Sequence, residues 1–419
     1  AIKKKYNIED IFRPTSFPEH TYVDRIIADE DSYEFRLKKA LRSAGRLISI
    51  TGTSKSGKTV LCHKIVDSDL LIDISGAQIT SKEDLWSQIA EKIRFPVEVQ
   101  ISSTAGKSYN EESSFGGKVG AFGVGAETHS KKTNSDLNSH SISEKATRSN
   151  KMVVDYLIKN KKILLIDDFH YINDELQMYI ARILKTELFN GLRVIIISLP
   201  HRADDAIRHN PDLIGRTTFI EIEPWKKSEL AEIAVKGFEL LGYKVNEEEI
   251  NLLATESISS PQLMQENCLN LSYIIDANKS LKVNLIQVKK AFYDTAINYN
   301  HYDNSLEKVA HGPDKGRNNR KKYTCKDGKL IDIYELVLNA IYIDPPKLIL
   351  PIEEIKNRIG EILEEDVNKL STLTISNTLM HINKIFKEVL PKLDTLEWRE
   401  QKLYLLDPFL LFYLRWRNK

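Results

Sequence analysis

Four short runs rich in Ile, Leu and Val, RLISITG, DLLIDISG, KKILLIDD and LRVIIISL, recur from Arg46 to just past Ser198. Segments with helical apolar spacing separate them. Continuous apolar runs of this length suit strands buried on both faces, and their alternation with helices predicts βαβ units around a parallel sheet. TTFIEIEP supplies a fifth expected strand. Between the second and third runs, residues 95–140 are rich in Gly, Ser and Asn and carry no helical period, which predicts an inserted hairpin or loop.

After Pro224 the pattern turns helical, through KKSELAEIAVKGFELLG, NEEEINLLATESI, PQLMQENCLNLSYIIDAN and a further helix near Leu285 to Asn298. Short polar turns join these segments, as in a small bundle. Residues 301–330 are polar with an excess of Lys and Arg and read as a linker. From Ile331, two helical stretches precede a third over LSTLTISNTLMHINKIFKEVL, then the alternating LEWREQKLYLLD and the aromatic PFLLFYLRWRNK. Three helices followed by a β-hairpin is the order of a winged-helix module. The expected divisions are therefore an α/β domain over 1–224, a helical domain over 225–300, a linker over 301–330 and a winged helix over 331–419.

Composition adds limits. A chain of 419 residues, 42% hydrophobic and 28% charged, has the make-up of a globular protein of about two to three domains. No run of about 18 apolar residues occurs, and the opening AIKKKYNIED lacks the apolar stretch of a signal peptide, so a cytoplasmic protein without a membrane partner is expected. Cys62, Cys268 and Cys325 are too few and too scattered for a disulfide framework or a zinc cluster. A net charge of +1 makes no global electrostatic case for nucleic acid.

The strongest chemical signal is Gly52-Thr53-Ser54-Lys55-Ser56-Gly57-Lys58-Thr59, between an expected strand and an apolar helix start at Val60. Glycines let the backbone curl so that successive N–H groups face phosphate oxygens, and the helix that follows adds the positive end of its dipole. Lys58 is expected at the β- and γ-phosphates and the Thr59 hydroxyl on Mg²⁺. Downstream, the run Ile163 to Asp168 ends in two carboxylates. Asp167 is the candidate for the Mg²⁺ shell and Asp168 for polarising the attacking water. Together these predict an ATPase, with ATP or ADP and Mg²⁺ as its cofactors.

This order of motifs resembles the AAA+ and STAND branch of P-loop ATPases, relatives of the origin-recognition ATPases. FPEHTYVDR is similar to a box of that branch that packs beside adenine, which implies base contacts for Tyr22, Val23 and Arg25. Ser259-Ser260-Pro261 stands where the branch has a Gly-x-Pro opening a lid helix, which puts Pro261 over the base. Ser198, at the end of the fourth strand, fits either a γ-phosphate sensor or a serine that ends a strand. Arg216 is in the place of a finger acting on a neighbouring subunit's nucleotide, with Arg202 and Arg208 as competitors and a plain surface arginine as the simpler reading. His170, after the two carboxylates, reads as a cap or packing residue ahead of a catalytic one, since phosphoryl transfer is mainly positioning and electrostatics. Asp24 replaces the box's Gly, Ser259 replaces the lid motif's Gly, and no sensor-two arginine is evident in PQLMQENC, so the resemblance implies slow or partner-dependent hydrolysis.

Two functional classes arise from the resemblance. One is a nucleotide-operated switch of prokaryotic signalling or defence against mobile elements, acting by self-association or through a separate effector chain. The other is a DNA-binding AAA+ ATPase of the origin-recognition or transposition-regulator kind. Its third C-terminal helix would offer Asn377, His381, Asn383, Lys384 and Lys387 to the major groove.

Overall fold

The computed structural model describes residues 6–27, 31–94, 150–200, 207, 210–279, 282–312, 320–391 and 393–417. The Gly-rich insertion and the two competing arginines, Arg202 and Arg208, lie outside them. The chain divides into two compact units. One holds Tyr33–Thr51 and Leu61–Glu221; the other holds Ala1–Ser32, Gly52–Val60 and Ile222–Lys419.

The first unit is built on the five apolar runs. They form β1 (Leu47–Gly52), β2 (Leu71–Ser75), β3 (Ile163–Asp167), β4 (Arg193–Ser198) and β5 (Thr217–Ile222), in the spatial order β2-β3-β4-β1-β5. The pairs β1–β4, β3–β4 and β2–β3 are parallel, as expected for strands joined by helical crossovers. Helix α1 (Tyr33–Arg42) leads into β1, and helices α2 (Lys58–Ile65), α3 (Lys82–Lys92) and α4 (Asp174–Phe189) belong to these crossovers. All six residues of β1 are buried, the polar Ser49 and Thr51 included, so both of its faces are covered. One layer of core joins Ile72, Ile74, Leu164, Ile166, Val194 and Ile196 with Leu85, Ile89, Leu176, Ile180 and Leu184 from α3 and α4. Sequence also sets the helix starts. Ser81 and Asp84 form a capping box on α3, and Asn173 caps α4 through the N–H of Leu176.

The second unit is helical. Its first part is α5 (Lys227–Leu241), α6 (Glu247–Glu256), α7 (Pro261–Asn278) and α8 (Leu285–Ala296), packed through Leu230, Ile233, Phe238, Leu263, Met264, Leu271, Val288 and Phe292. The N-terminal segment adds Ile8, Ile11, Phe12 and Val23 to the same core. Residues 301–330, expected as a linker, instead carry α9 (Asp303–His311) with Tyr302, Leu306 and Val309 buried. Further on come α10 (Ile333–Tyr342), β6 (Ile349–Pro351), α11 (Ile352–Ile362), α12 (Thr372–Val389), β7 (Leu396–Arg399), β8 (Lys402–Leu405) and α13 (Pro408–Trp416). β7 and β8 are the expected hairpin, and β6 joins them in an antiparallel sheet of order β6-β8-β7.

Helix α13 is anchored at its C-terminal end by an ion pair to a buried carboxylate. Every residue in the helix but Arg415 is buried. Arg415 grips the buried Glu256 carboxylate of α6 through Nη2 at 2.6 Å and Nε at 2.8 Å, and Trp416 Nε1 donates to the same group at 2.7 Å. A buried carboxylate with three donors is satisfied, whereas removal of Arg415 would strand it. Among the described residues, no helix is long and apolar enough to cross a membrane.

Gly237, inside α5, tests the packing of the N-terminal segment. A helix-interior glycine usually gains about 1 kcal/mol on change to Ala. Here a Cβ would collide with the edge of the Phe12 ring, itself fully buried, and lie 3.1 Å from Ile11 Cγ2. Gly237→Ala is therefore expected to lower stability by about 1–3 kcal/mol. Urea denaturation checks the sign, and a variant as stable as the parent would contradict this packing.

Candidate functional site

The loop Gly52–Val60 leaves β1 and enters α2. Its shape depends on two glycines for different reasons. At Gly52 a side chain would press on the Ile222 carbonyl at 3.0 Å and on Ser56 Oγ at 3.1 Å; Gly57 sits at φ +91°, where L side chains are strained. Lys55 adopts φ +58° as well. The Lys58 ammonium is nearly buried and donates to the carbonyls of Gly52 at 2.9 Å and Thr53 at 2.7 Å. The Ser56 carbonyl accepts from Trp225 Nε1 at 2.8 Å. Ser56 Oγ is buried without a hydrogen-bond partner among the described residues. Thr53, Ser54 and Thr59 complete the curl, and Thr59 brings its hydroxyl in the first turn of α2.

In the sheet unit, strand register aligns the other expected residues. Ser198 pairs with Thr51, the residue before the loop, and Asp167 closes β3 opposite Ser75. The Ser198 hydroxyl is fully buried and has no hydrogen-bond partner among the described residues. Asp168 takes the left-handed conformation, φ +54° and ψ 37°, and its N–H donates to Asp167 Oδ1 at 2.8 Å. A side chain at Gly76 would collide with the carbonyls of Asp167 and Asp168, so the end of β2 must be bare for this turn to fit. Burial first, and the Asp167 charge second, push the Cys62 thiol well above its usual range. Cys62 is thus an inert core thiol rather than a nucleophile. His170 lies against Tyr171, ring centres 4.3 Å apart.

The residues that the resemblance puts beside a base have mixed surroundings. Val23 is a core residue, and Tyr22 is half-buried, stacked with Phe17 at 6.0 Å. Arg25 is buried and engaged inside the protein: Nε meets Glu229 at 3.1 Å, Nη2 donates to the carbonyls of Glu223 and Pro224, and the guanidinium lies 4.7 Å over Trp225. Its surroundings are those of a structural arginine. Pro261 opens α7 behind the Ser260 cap, with its Cγ 4.0 Å from where a Gly57 side chain would project. Ser259 has φ +55°, the conformation that a glycine there would adopt without strain, and Ile258 before it has φ +47°.

One contact is invisible in the sequence. Lys55 Nζ lies 3.5 Å from Asp407 Oδ1 and 3.6 Å from the centre of the Phe409 ring. Asp407 caps α13 through the N–H of Phe409 at 3.0 Å and accepts from Tyr302 Oη at 2.6 Å. Tyr299 stacks on Phe409 at 4.5 Å and donates to Glu266 at 3.1 Å. Burial lowers the pKa of Lys55, and Asp407 opposes that shift. The Asp-Pro-Phe sequence is the only local signal at 407–409; its partner is 352 residues away. Trp225 belongs to none of the motifs, although an aromatic residue straight after β5 is a local feature.

Arg216 is partly exposed, donates to the Lys185 carbonyl at 2.9 Å and lies 6.0 Å from the Phe189 ring, which is itself 81% exposed. That places it on an open surface of the sheet unit. Among the described residues, no group of three or more His, Cys, Asp or Glu side chains stands ready to hold a metal. Mg²⁺ bound with a nucleotide takes only one or two protein ligands and fills its shell with phosphate and water, so oxygen donors such as Thr59 and Asp167 fit that chemistry.

No protein-family profile and no curated protein sequence matches the chain. Among solved structures it is similar to a Walker-type ATPase of Pyrococcus abyssi, at 13% identity and TM-score 0.49, covering 91% of this chain and 94% of that one. It is also similar to the ORC2 protein of Aeropyrum pernix, at 13% identity and TM-score 0.46, covering 94% of each chain. Cdc6p of Pyrobaculum aerophilum is similar at 11% identity and TM-score 0.43, covering 97% of this chain and 96% of that one. Strand order β2-β3-β4-β1-β5 with a phosphate loop between β1 and α2 makes this an α/β P-loop fold.

Proposed function

We propose that the chain binds ATP and ADP with Mg²⁺ through the loop Gly52–Val60, hydrolyses ATP, and passes the state of the loop to helix α13, so that it works as a nucleotide-operated switch. The observation that carries this reading is the contact of Lys55 with Asp407 and Phe409. A cation in the phosphate loop is held by the cap of the C-terminal helix, so phosphate arriving in the loop competes with that cap for the same ammonium. Lys58 plays a different part. It exchanges the Gly52 and Thr53 carbonyls for the β- and γ-phosphates, while Thr59 and Asp167 serve Mg²⁺, Asp168 orients water and Ser198 meets the γ-phosphate. The buried Ser198 hydroxyl, without a partner among the described residues, supports that last role. In this reading Tyr22, Val23 and Pro261 flank the base, Arg25 positions rather than contacts it, and Arg216 serves the nucleotide of a second copy. Prokaryotic signalling or defence, with an effector on a separate chain, is the setting that the sequence resemblance favours.

The surface of α12 does not favour the DNA-binding alternative. Its exposed side carries Asn377, His381, Lys384 and Lys387, but also Leu373, Met380 and Glu388. His381 is engaged by Tyr334 at 2.8 Å, and Lys384 lies 3.8 Å from Glu388. Phosphate-backbone binding uses a denser basic stripe.

Three outcomes test the proposal. Lys58→Ala should weaken ATP binding by about tenfold or more, the worth of a charged hydrogen bond, and Asp168→Asn should keep binding while turnover falls by about 10²-fold. Calorimetry and a phosphate-release assay read the two; undiminished affinity in folded Lys58→Ala would refute the loop as the site. Hydrogen exchange at the amides of Phe409 to Phe412 should change when Mg²⁺ and ATP are added, and Lys55→Met should abolish that response. Equal exchange with and without nucleotide in the parent protein would rule out the switch. Finally, specific ATPase activity should rise with protein concentration, and Arg216→Ala should remove the rise without altering nucleotide affinity. A monomer that turns over at a concentration-independent specific rate would exclude a finger in trans.

A further inference from the structure

A phosphate loop works by aiming N–H groups at its occupant, so each carbonyl of the same peptides must point elsewhere. The Ser56 carbonyl points at Trp225, whose indole N–H donates to it at 2.8 Å. Ser56 O and Gly57 N–H belong to one planar trans peptide and point in opposite directions. A donor that fixes the oxygen therefore fixes the N–H of Gly57 away from the indole. Gly57, at φ +91°, has room only for van der Waals contact on that side, with Trp225 Cζ2 at 3.9 Å and Pro261 Cγ at 4.0 Å from a projected Cβ.

The indole is itself held from behind. The Arg25 guanidinium lies over its ring at 4.7 Å. Arg25 is fixed by Glu229, 3.1 Å from Nε, and by the carbonyls of Glu223 and Pro224 that precede Trp225 in the chain. Glu229 Oε2 also accepts from the Lys226 N–H at 2.8 Å, which ties this carboxylate to the start of α5. The series Glu229, Arg25, Trp225, Ser56 carbonyl runs from the first turn of α5 to the loop with a defined contact at every step.

We propose that Trp225 is a positioning residue of the phosphate loop, which orients the Ser56–Gly57 peptide so that its N–H is offered to a bound polyphosphate, with Arg25 and Glu229 holding the indole in place. This deepens the nucleotide-binding reading and rests on it. The ligand class is any magnesium-bound di- or triphosphate, and the base plays no part in what Trp225 recognises. Losing the indole donor frees the peptide to rotate, and the affinity of the loop falls by the worth of one aimed hydrogen bond. Because the same bond serves ground state and transition state alike, the loss falls on KM and leaves kcat in place.

The test compares the parent protein with Trp225→Phe, and with the benzothienyl-alanine analogue of Trp introduced at position 225, which keeps the shape of indole and lacks its N–H. Magnesium-ADP and magnesium-pyrophosphate are titrated into each, with melting temperature as the check on folding. The expected result is a roughly three- to tenfold weakening, the same factor for both ligands, at an unchanged melting temperature, and a matching rise in KM for ATP at unchanged kcat. Equal affinity in either folded variant overturns the proposal. So does a loss for ADP with none for pyrophosphate, which would make Trp225 a base contact instead. Should Phe not fold, the isosteric analogue decides alone. Failure of the parent protein to bind either ligand would sink the nucleotide-binding reading itself, a result separate from both of these.

Discussion

The phosphate loop depends on where its carbonyl oxygens go. Nine residues curl tightly, and the carbonyls of those peptides must find donors, from side chains of the curl itself or from beyond it, or lose about 1–3 kcal/mol each when buried. Gly52 and Thr53 give their oxygens to Lys58, and Ser56 gives its oxygen to Trp225. Lys58 thus serves two carbonyls of its own loop. The glycines answer the same demand. Gly52 yields space to the Ile222 carbonyl, and Gly57 accepts a backbone conformation that the curl imposes.

Features encoded over short stretches are legible in the sequence alone. The apolar runs mark five strands in the right places, the inner ones because parallel strands buried on both faces are rich in Ile, Leu and Val and the edge strand β5 through alternation, and Gly52 to Thr59 falls between β1 and α2 as its chemistry requires. The hairpin of β7 and β8 is visible from alternation, whereas β6, three residues long, has too few positions to show a period. The segment near Asp303 reads as a linker because its polar majority hides Tyr302, Leu306 and Val309, which already stand at helical spacing. Contacts that link distant segments leave no trace in local pattern. Arg25 shows why: its residue type and motif suggest a base contact, and only the positions of Glu229 and the Glu223 carbonyl reveal what its guanidinium does.

Strain sits beside the same loop, next to the start of α7. Ile258 and Ser259 both occupy the left-handed region, at about 1–2 kcal/mol apiece for residues with a Cβ. Ser257 and Ser260 are fully buried on either side, and Ser260 caps the helix. The surroundings therefore over-determine the turn, and Pro261 is delivered with a fixed first turn behind it. A glycine at position 259 would take the same conformation without that cost.

Asp407 is a single side chain with several employers. Its carboxylate caps α13, accepts from Tyr302 105 residues earlier, and faces Lys55 352 residues earlier. Each partner lies in a different segment, so a lesion at Asp407 is pleiotropic: helix start, core hydrogen bond and loop cation fail together. The contacts can be separated genetically only at the partners, Lys55 on one side and Tyr302 on the other. Over evolutionary time the same arrangement binds three distant segments into one mutational unit, in which drift at any of them is constrained by the other two.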